Sequence, residues 1–224
     1  MKLICLGDSL TQGIYGGSYV NALARLMPEH TIINAGRNGD TVISLLERLD
    51  DVLAQSPDGI FLMVGGNDAI SYAQPKVRSY YRKSQGLSEG FVSPEQFSAA
   101  YRDLLLQLQI AGVLVWVGLP PNEYNPAVVN ALRQYNALAQ EAALALSIPV
   151  HDFMADFVPA HLPNRPDLDL KTIALIGARE SSGWHDYQKA RLEGGYTFTF
   201  DGLHLMPESA EQMARLLARF LTSN

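Results

Sequence analysis

The feature that most constrains this chain is a series of short apolar runs separated by helix-length amphipathic stretches. The runs are Leu3-Ile4-Cys5-Leu6, Thr31-Ile32-Ile33-Asn34-Ala35-Gly36, Gly59-Ile60-Phe61-Leu62-Met63-Val64, Val113-Leu114-Val115-Trp116-Val117 and the weaker Pro149-Val150-His151-Asp152-Phe153. Runs this short, with little polar alternation, read as strands covered on both faces. Between them the apolar residues return at helical spacing: Tyr19, Leu23, Leu26 and Met27 after Ser18; Val42, Leu45, Leu46, Leu49, Val52 and Leu53 after Asp40, read here as the helix cap. Ser93, Pro94 and Gln96 spell a capping box ahead of Phe97, Tyr101, Leu104, Leu105 and Leu108, with Gly112 as the exit. Asn125-Pro126 opens a long helix, and Pro207 starts a last one with Met213, Leu216, Leu217, Phe220 and Leu221 on one side. Strands joined through helices run parallel, so the chain is expected to be α/β, with a mostly parallel sheet covered on both faces.

Two stretches stand outside this pattern. Residues 71–92 carry no clean period and hold Lys76, Arg78, Tyr80, Tyr81, Arg82 and Lys83, either a solvated surface or one wall of a substrate cleft. Residues 159–199 are mixed, with Thr172-Ile173-Ala174-Leu175-Ile176 and the alternating Tyr196-Thr197-Phe198-Thr199-Phe200 as strand pieces. No repeat or linker is visible, and 224 residues at 47% hydrophobic suffice for one core. The expectation is a single domain over residues 1–224, with insertions at about 71–92 and 159–199.

Charge and apolar length exclude several classes. A net charge of −6 gives no basic face for nucleic acid. No apolar run approaches the roughly 18 residues of a membrane span, and the run after Met1-Lys2 is too short for the core of a signal peptide, so a cytoplasmic protein is expected. Cys5, the only cysteine, is expected to pack as a small hydrophobe.

Candidate chemistry lies at the strand ends, where the loops of an open α/β sheet converge. Ser9 follows Gly7-Asp8 just beyond the first run, although Gly, Asp and Ser are also ordinary turn residues. A nucleophilic serine needs a base within reach and a group that orients the base. Asp201-Gly202-Leu203-His204 supplies both: His204 as base and Asp201 as orienting acid, brought together by a glycine-containing turn. Asp8 reads as a loop-bracing acceptor, His151 as a packed core residue, and His30, His161 and His185 as surface residues. No metal-ligand spacing, no G-x-S-x-G elbow and no phosphate-binding G-x-x-x-x-G-K-[ST] loop occurs.

Gly7-Asp8-Ser9-Leu10, Asn34-Ala35-Gly36-Arg37-Asn38-Gly39-Asp40-Thr41, Gly65-Gly66-Asn67-Asp68 and Asp201-Gly202-Leu203-His204, in that order, resemble the four sequence blocks of the GDSL, or SGNH, hydrolases. The resemblance covers nearly the whole chain. It implies a three-layer α/β/α sandwich with a flavodoxin-like, five-stranded sheet, hydrolysing small-molecule acyl esters or thioesters with no cofactor and no metal. It also implies an oxyanion hole from the N–H groups of Ser9 and Gly39 and the Asn67 amide, with Gly36 as the alternative to Gly39. The expected function is a serine carboxylic ester hydrolase of esterase, lipase or lysophospholipase type, acting through an acyl-enzyme. An acyl thioesterase or carbohydrate acetylesterase would use the same groups. A non-catalytic flavodoxin-like binding module is the reading from another class; it predicts a damaged triad, whereas Ser9, Asp201 and His204 are all present.

Overall fold

A computed structural model describes residues 1–223. Five strands, β1 (Lys2–Gly7), β2 (Thr31–Gly36), β3 (Gly59–Met63), β4 (Leu114–Leu119) and β5 (Val150–Asp152), form one sheet in the order β2-β1-β3-β4-β5. Every neighbouring pair is parallel. The helices are α1 (Ser9–Gln12), α2 (Tyr19–Leu26), α3 (Val42–Glu47), α4 (Leu49–Leu53), α5 (Gly66–Ala73), α6 (Arg78–Ser84), α7 (Pro94–Ile110), α8 (Pro126–Ala145), α9 (Phe153–Asp156), α10 (Leu170–Ser181), α11 (Tyr187–Gly194) and α12 (Pro207–Ser223). None is long and apolar enough to cross a membrane, among the described residues.

The strands divide their side chains between two cores because successive residues point to opposite faces. Ile4, Leu6, Ile60, Leu62, Val115 and Val117 pack with Val42, Tyr101, Leu104 and Leu132 of α3, α7 and α8. Their strand neighbours Leu3, Cys5, Phe61, Met63 and Trp116 pack with Leu23 of α2 and Met213 and Leu217 of α12. The long helices begin where their caps specify. Ser93 Oγ accepts from Gln96 N at 3.2 Å while Gln96 Oε1 accepts from Ser93 N at 2.9 Å, and Asn125 Oδ1 accepts from Val128 N at 2.9 Å.

Several expectations are corrected. Asp40 does not cap α3; Thr41 does, and the single helix expected after Asp40 breaks at Arg48 into α3 and α4. Asp40 instead accepts from Arg48 Nε at 2.8 Å, and Arg48 Nη2 donates to the carbonyls of Gly7 at 3.1 Å and Ala35 at 2.7 Å. Thr172–Ile176 is not a strand but part of α10, whose first turn is capped by Asp169, which accepts from Thr172 N at 2.9 Å. Among the described residues Tyr196–Phe200 makes only one antiparallel bridge, Thr199 with Leu205. In the aperiodic 71–92 segment, which holds the end of α5, a 3-10 turn at Pro75–Val77, α6 and the loop ahead of α7, Val77, Tyr81 and Val92 enter the α3/α7/α8 core.

The Arg48–Asp40 pair is buried, with side-chain exposures of 7% and 8%. Burial raises the Asp40 carboxyl and lowers the Arg48 guanidinium despite their pairing. Such a pair adds little net stability, but removing one partner strands the other charge. Arg48→Met is therefore expected to lower the unfolding free energy by about 3–5 kcal/mol in urea titrations. Arg25→Ala, which removes the exposed pair with Glu211, should change it by less than about 1 kcal/mol. Equal effects of the two substitutions would contradict this account.

Candidate active site

Ser9 is the first residue of α1, and Asp8 caps that short helix by accepting from Leu10 N at 3.0 Å. The turn into the helix is so close that a Cβ on Gly7 would lie 2.3 Å from both the Met63 carbonyl and Thr11 Oγ1. Only glycine fits there. Gly39 is constrained twice, by φ +79° and by Tyr80 Oη and Gln85 Nε2 standing 2.8 Å from where its Cβ would be. Asn67 lies in the first turn of α5. Its Nδ2 donates to the Asp40 carbonyl at 3.1 Å and reaches Asp8 Oδ2 at 3.5 Å, while its Oδ1 accepts from Tyr81 Oη at 2.8 Å.

Asp201 and His204 stand on a tight turn through Gly202, at φ +89°. Asp201 Oδ1 accepts from the backbone N–H of Leu203 at 2.9 Å and of His204 at 2.8 Å, and its Oδ2 pairs with His204 Nδ1 at 2.8 Å. A carboxylate that folds its own turn in this way fixes both the imidazole's position and its tautomer, with the proton on Nδ1. The loop is held from behind by Glu123, a fully buried residue that sequence reasoning did not single out. Its carboxylate accepts from the backbone N–H of Thr197 at 2.8 Å, Phe198 at 2.8 Å and Thr199 at 2.6 Å, and from Thr199 Oγ1 at 2.7 Å. These bonds consume the amides that would otherwise pair in a sheet, which is why the alternating Tyr196–Phe200 stretch is no strand. Tyr15 and Phe200 pack on the imidazole, with ring centroids 5.1 and 6.1 Å away.

Ser9, Gly39, Asn67 and His204 line one cavity of about 160 Å³. Asp201 lies behind His204 and does not line it, and Gly36 faces away, against the Thr11 and Gln12 backbone. Ser9 and His204 share the cavity without a hydrogen bond between them among the described residues, as is common before substrate tightens a site. The walls are largely apolar and include Ile70, Leu168, and Ile173 and Ile176 of α10. At the rim Asn38 Nδ2 donates to both Glu180 oxygens, at 2.7 and 2.8 Å. Tyr80 and Tyr81 contribute to the wall, but the cations beside them do not. Arg78 donates to the Ser71 and Tyr72 carbonyls and lies over the Phe91 ring, Arg82 donates to the Glu89 carbonyl, and Lys76 pairs with Asp167.

The other histidines lie elsewhere. His151, expected in the core, is half-buried, paired with Asp156 at 2.7 Å and packed on Phe153 and Phe220. His30 pairs with Glu29. Among the described residues no group of three or more His, Cys, Asp or Glu side chains is arranged to hold a metal ion.

The site is rich in buried carboxyls. Desolvation pushes Asp8 up to about 7 and Asp68 up to about 8, even though Asp68 accepts from Val42 N at the start of α3. Asp201 behaves differently: burial raises it, but the charge of His204 and the hydrogen bonds it accepts outweigh that and hold it below its ordinary value. For His204, burial favours the neutral ring, yet Asp201, with smaller help from Asp8 and Glu180, holds the imidazole above 6.5.

Residues 5–174 match the GDSL-like Lipase/Acylhydrolase family. An acetylxylan esterase of Geobacillus stearothermophilus is 28% identical to this chain over 166 residues, 63% of this chain and 71% of that protein. In a solved structure, an acetylxylan esterase from Geobacillus stearothermophilus is similar with a TM-score of 0.67 and 21% identity, covering 98% of this chain and 93% of that one. A lipase/acylhydrolase from Enterococcus faecalis is similar with a TM-score of 0.62 and 20% identity, covering 99% and 95%. The parallel sheet with helices on both faces is the fold of these proteins.

The electrostatics of the turn predict how His204 titrates. In NMR titrations its imidazole should titrate above 6.5, and Asp201→Asn should move that pKa down, because burial then acts without its main opponent. An unchanged His204 pKa in Asp201→Asn would contradict this reading of the pair.

Proposed function

The chain belongs to the GDSL-like lipase/acylhydrolase family of ester-hydrolysing enzymes, and from that premise we propose that it is a serine carboxylic ester hydrolase working through an acyl-enzyme. Ser9 is the nucleophile, His204 the general base and Asp201 the orienting acid; the N–H groups of Ser9 and Gly39 and the Asn67 Nδ2 form the oxyanion hole. The observation that carries this reading is the 2.8 Å contact of His204 Nδ1 with Asp201, made by an imidazole that shares one cavity with Ser9 and Asn67. With Nδ1 engaged, Nε2 is the ring nitrogen able to take a proton.

The steps follow from that geometry. Ser9 Oγ attacks the ester carbonyl carbon while His204 Nε2 takes the hydroxyl proton, and the resulting oxyanion is stabilised by the Ser9 and Gly39 N–H groups and Asn67 Nδ2. Collapse expels the alcohol, which receives the proton from His204, and leaves the acyl group on Ser9. Water, deprotonated by His204, then attacks the acyl-enzyme, and as the Ser9–acyl bond breaks His204 returns the proton to Ser9 Oγ and the acid departs.

A second reading concerns the substrate. A carbohydrate acetyl ester is favoured by the acetylxylan esterase relative at 28% identity. A panel of acetylated xylooligosaccharides and simple aryl acetates separates a carbohydrate esterase, fast on the former, from a general esterase, fast only on the latter.

Ser9→Ala is expected to lower kcat for an aryl acetate by on the order of 10⁶ without loss of folded protein, because no other group forms the acyl-enzyme. Substantial turnover by well-folded Ser9→Ala would overturn the mechanism, whichever substrate is preferred.

A further inference from the structure

A carboxamide can donate to an oxyanion only if its NH₂ end faces the reacting carbonyl, and the two ends of Asn67 are nearly the same size. Its surroundings decide between them. The Asp40 carbonyl, which can only accept, lies 3.1 Å from one end and so fixes that end as Nδ2. The opposite end is therefore Oδ1, and it is met at 2.8 Å by the hydroxyl of Tyr81, which must donate. Tyr81 is 1% exposed, in the middle of α6, with its ring in the sheet-facing core. Burial holds its phenol well above the ordinary tyrosine value, so it keeps its proton at any pH at which His204 changes charge.

The same short helix and its exit bear on the second proposed donor. Tyr80 Oη and Gln85 Nε2 occupy the space beside Gly39, and Gln85 Oε1 accepts from Ser44 Oγ at 2.9 Å, which ties the α6 exit to the first turn of α3. One segment outside the regular strand-helix pattern thus touches both loops that supply the oxyanion site.

We propose that Tyr81 is a positioning residue of the oxyanion hole, its hydroxyl holding the Asn67 carboxamide with Nδ2 turned to the developing charge. This rests on the reading of Asn67 as an oxyanion donor. Tyr81 acts through Asn67, so its hydroxyl matters in the transition state and little in substrate binding.

The test is a double-mutant cycle on an aryl acetate with Tyr81→Phe, which keeps the buried ring, and Asn67→Ala. Asn67→Ala should lower kcat by about 10²–10³. Tyr81→Phe should lower kcat by about tenfold, the scale of one lost hydrogen bond, with KM changed by less than about twofold. In the Asn67→Ala background, Tyr81→Phe should have no further effect beyond about twofold. Wild-type kcat in Tyr81→Phe, or the same loss in both backgrounds, would overturn the positioning role while leaving the oxyanion reading intact. Wild-type kcat in Asn67→Ala would overturn both. A readout independent of turnover is the Asn67 side-chain NH₂ pair in ¹⁵N NMR. Its two proton shifts should be well separated in the wild type and move together in Tyr81→Phe; an identical pair in both proteins would also contradict the proposal.

Discussion

The site depends on the parallel pairing of β1 between β2 and β3. In that register Gly7 lies opposite both Gly36 and Met63, so the three loops that follow leave the sheet side by side. Adjacent strands are roughly 4.8 Å apart and rise about 3.3 Å per residue, so a two-residue slip would displace one loop by roughly 7 Å and separate Ser9, Gly39 and Asn67. Arg48 reinforces the register at the point where it matters: its guanidinium joins the carbonyls of Gly7, the last residue of β1, and Ala35, the next-to-last of β2, to Asp40, in the loop that carries Gly39. The order β2-β1-β3 also puts a change of winding direction beside β1, and such a switch point opens the crevice in which ligands of α/β sheets bind.

The Asp201–His204 turn does not belong to the sheet and is held by a different kind of force. A buried Glu123 carboxylate gathers three amides and a hydroxyl just before it, and charge-assisted bonds of this sort are stronger and more directional than neutral ones. The arrangement places the imidazole among three acids, Asp201, Asp8 and Glu180. Burial and these charges pull His204 in opposite directions, and the charges prevail. A proposed base tuned upward in this way is strong once deprotonated, which suits it to take the Ser9 proton and to return it to a leaving alcohol.

The strands, the long helices and the meeting of Asp201 with His204 are legible in the chain because local chemistry specifies them: unbroken apolar runs, the Ser93 and Asn125 caps, and a glycine turn that brings an acid to a histidine. What was not legible depends on partners outside the pattern of apolar periodicity, local or distant. Asp40 looks like a cap, but Arg48, eight residues on, claims its carboxylate and breaks the helix. Thr172–Ile176 has the composition of a strand; the signal for helix was Asp169, an N-cap at the right spacing. Glu123 carries no local signature, since its partners are more than 70 residues away. Tyr81 sits in a segment without period because α6 is too short to show one, and only the fold brings its hydroxyl to Asn67.

The central claim is that one serine is activated by the His204–Asp201 pair. Active-site labelling with a fluorophosphonate, followed by proteolysis and mass spectrometry, tests it most directly. The account predicts one phosphonyl adduct, on the peptide that carries Ser9, formed at the rate at which esterase activity is lost. Complete inactivation with the label on another residue, or a protein that hydrolyses esters yet takes no label at Ser9, would contradict it.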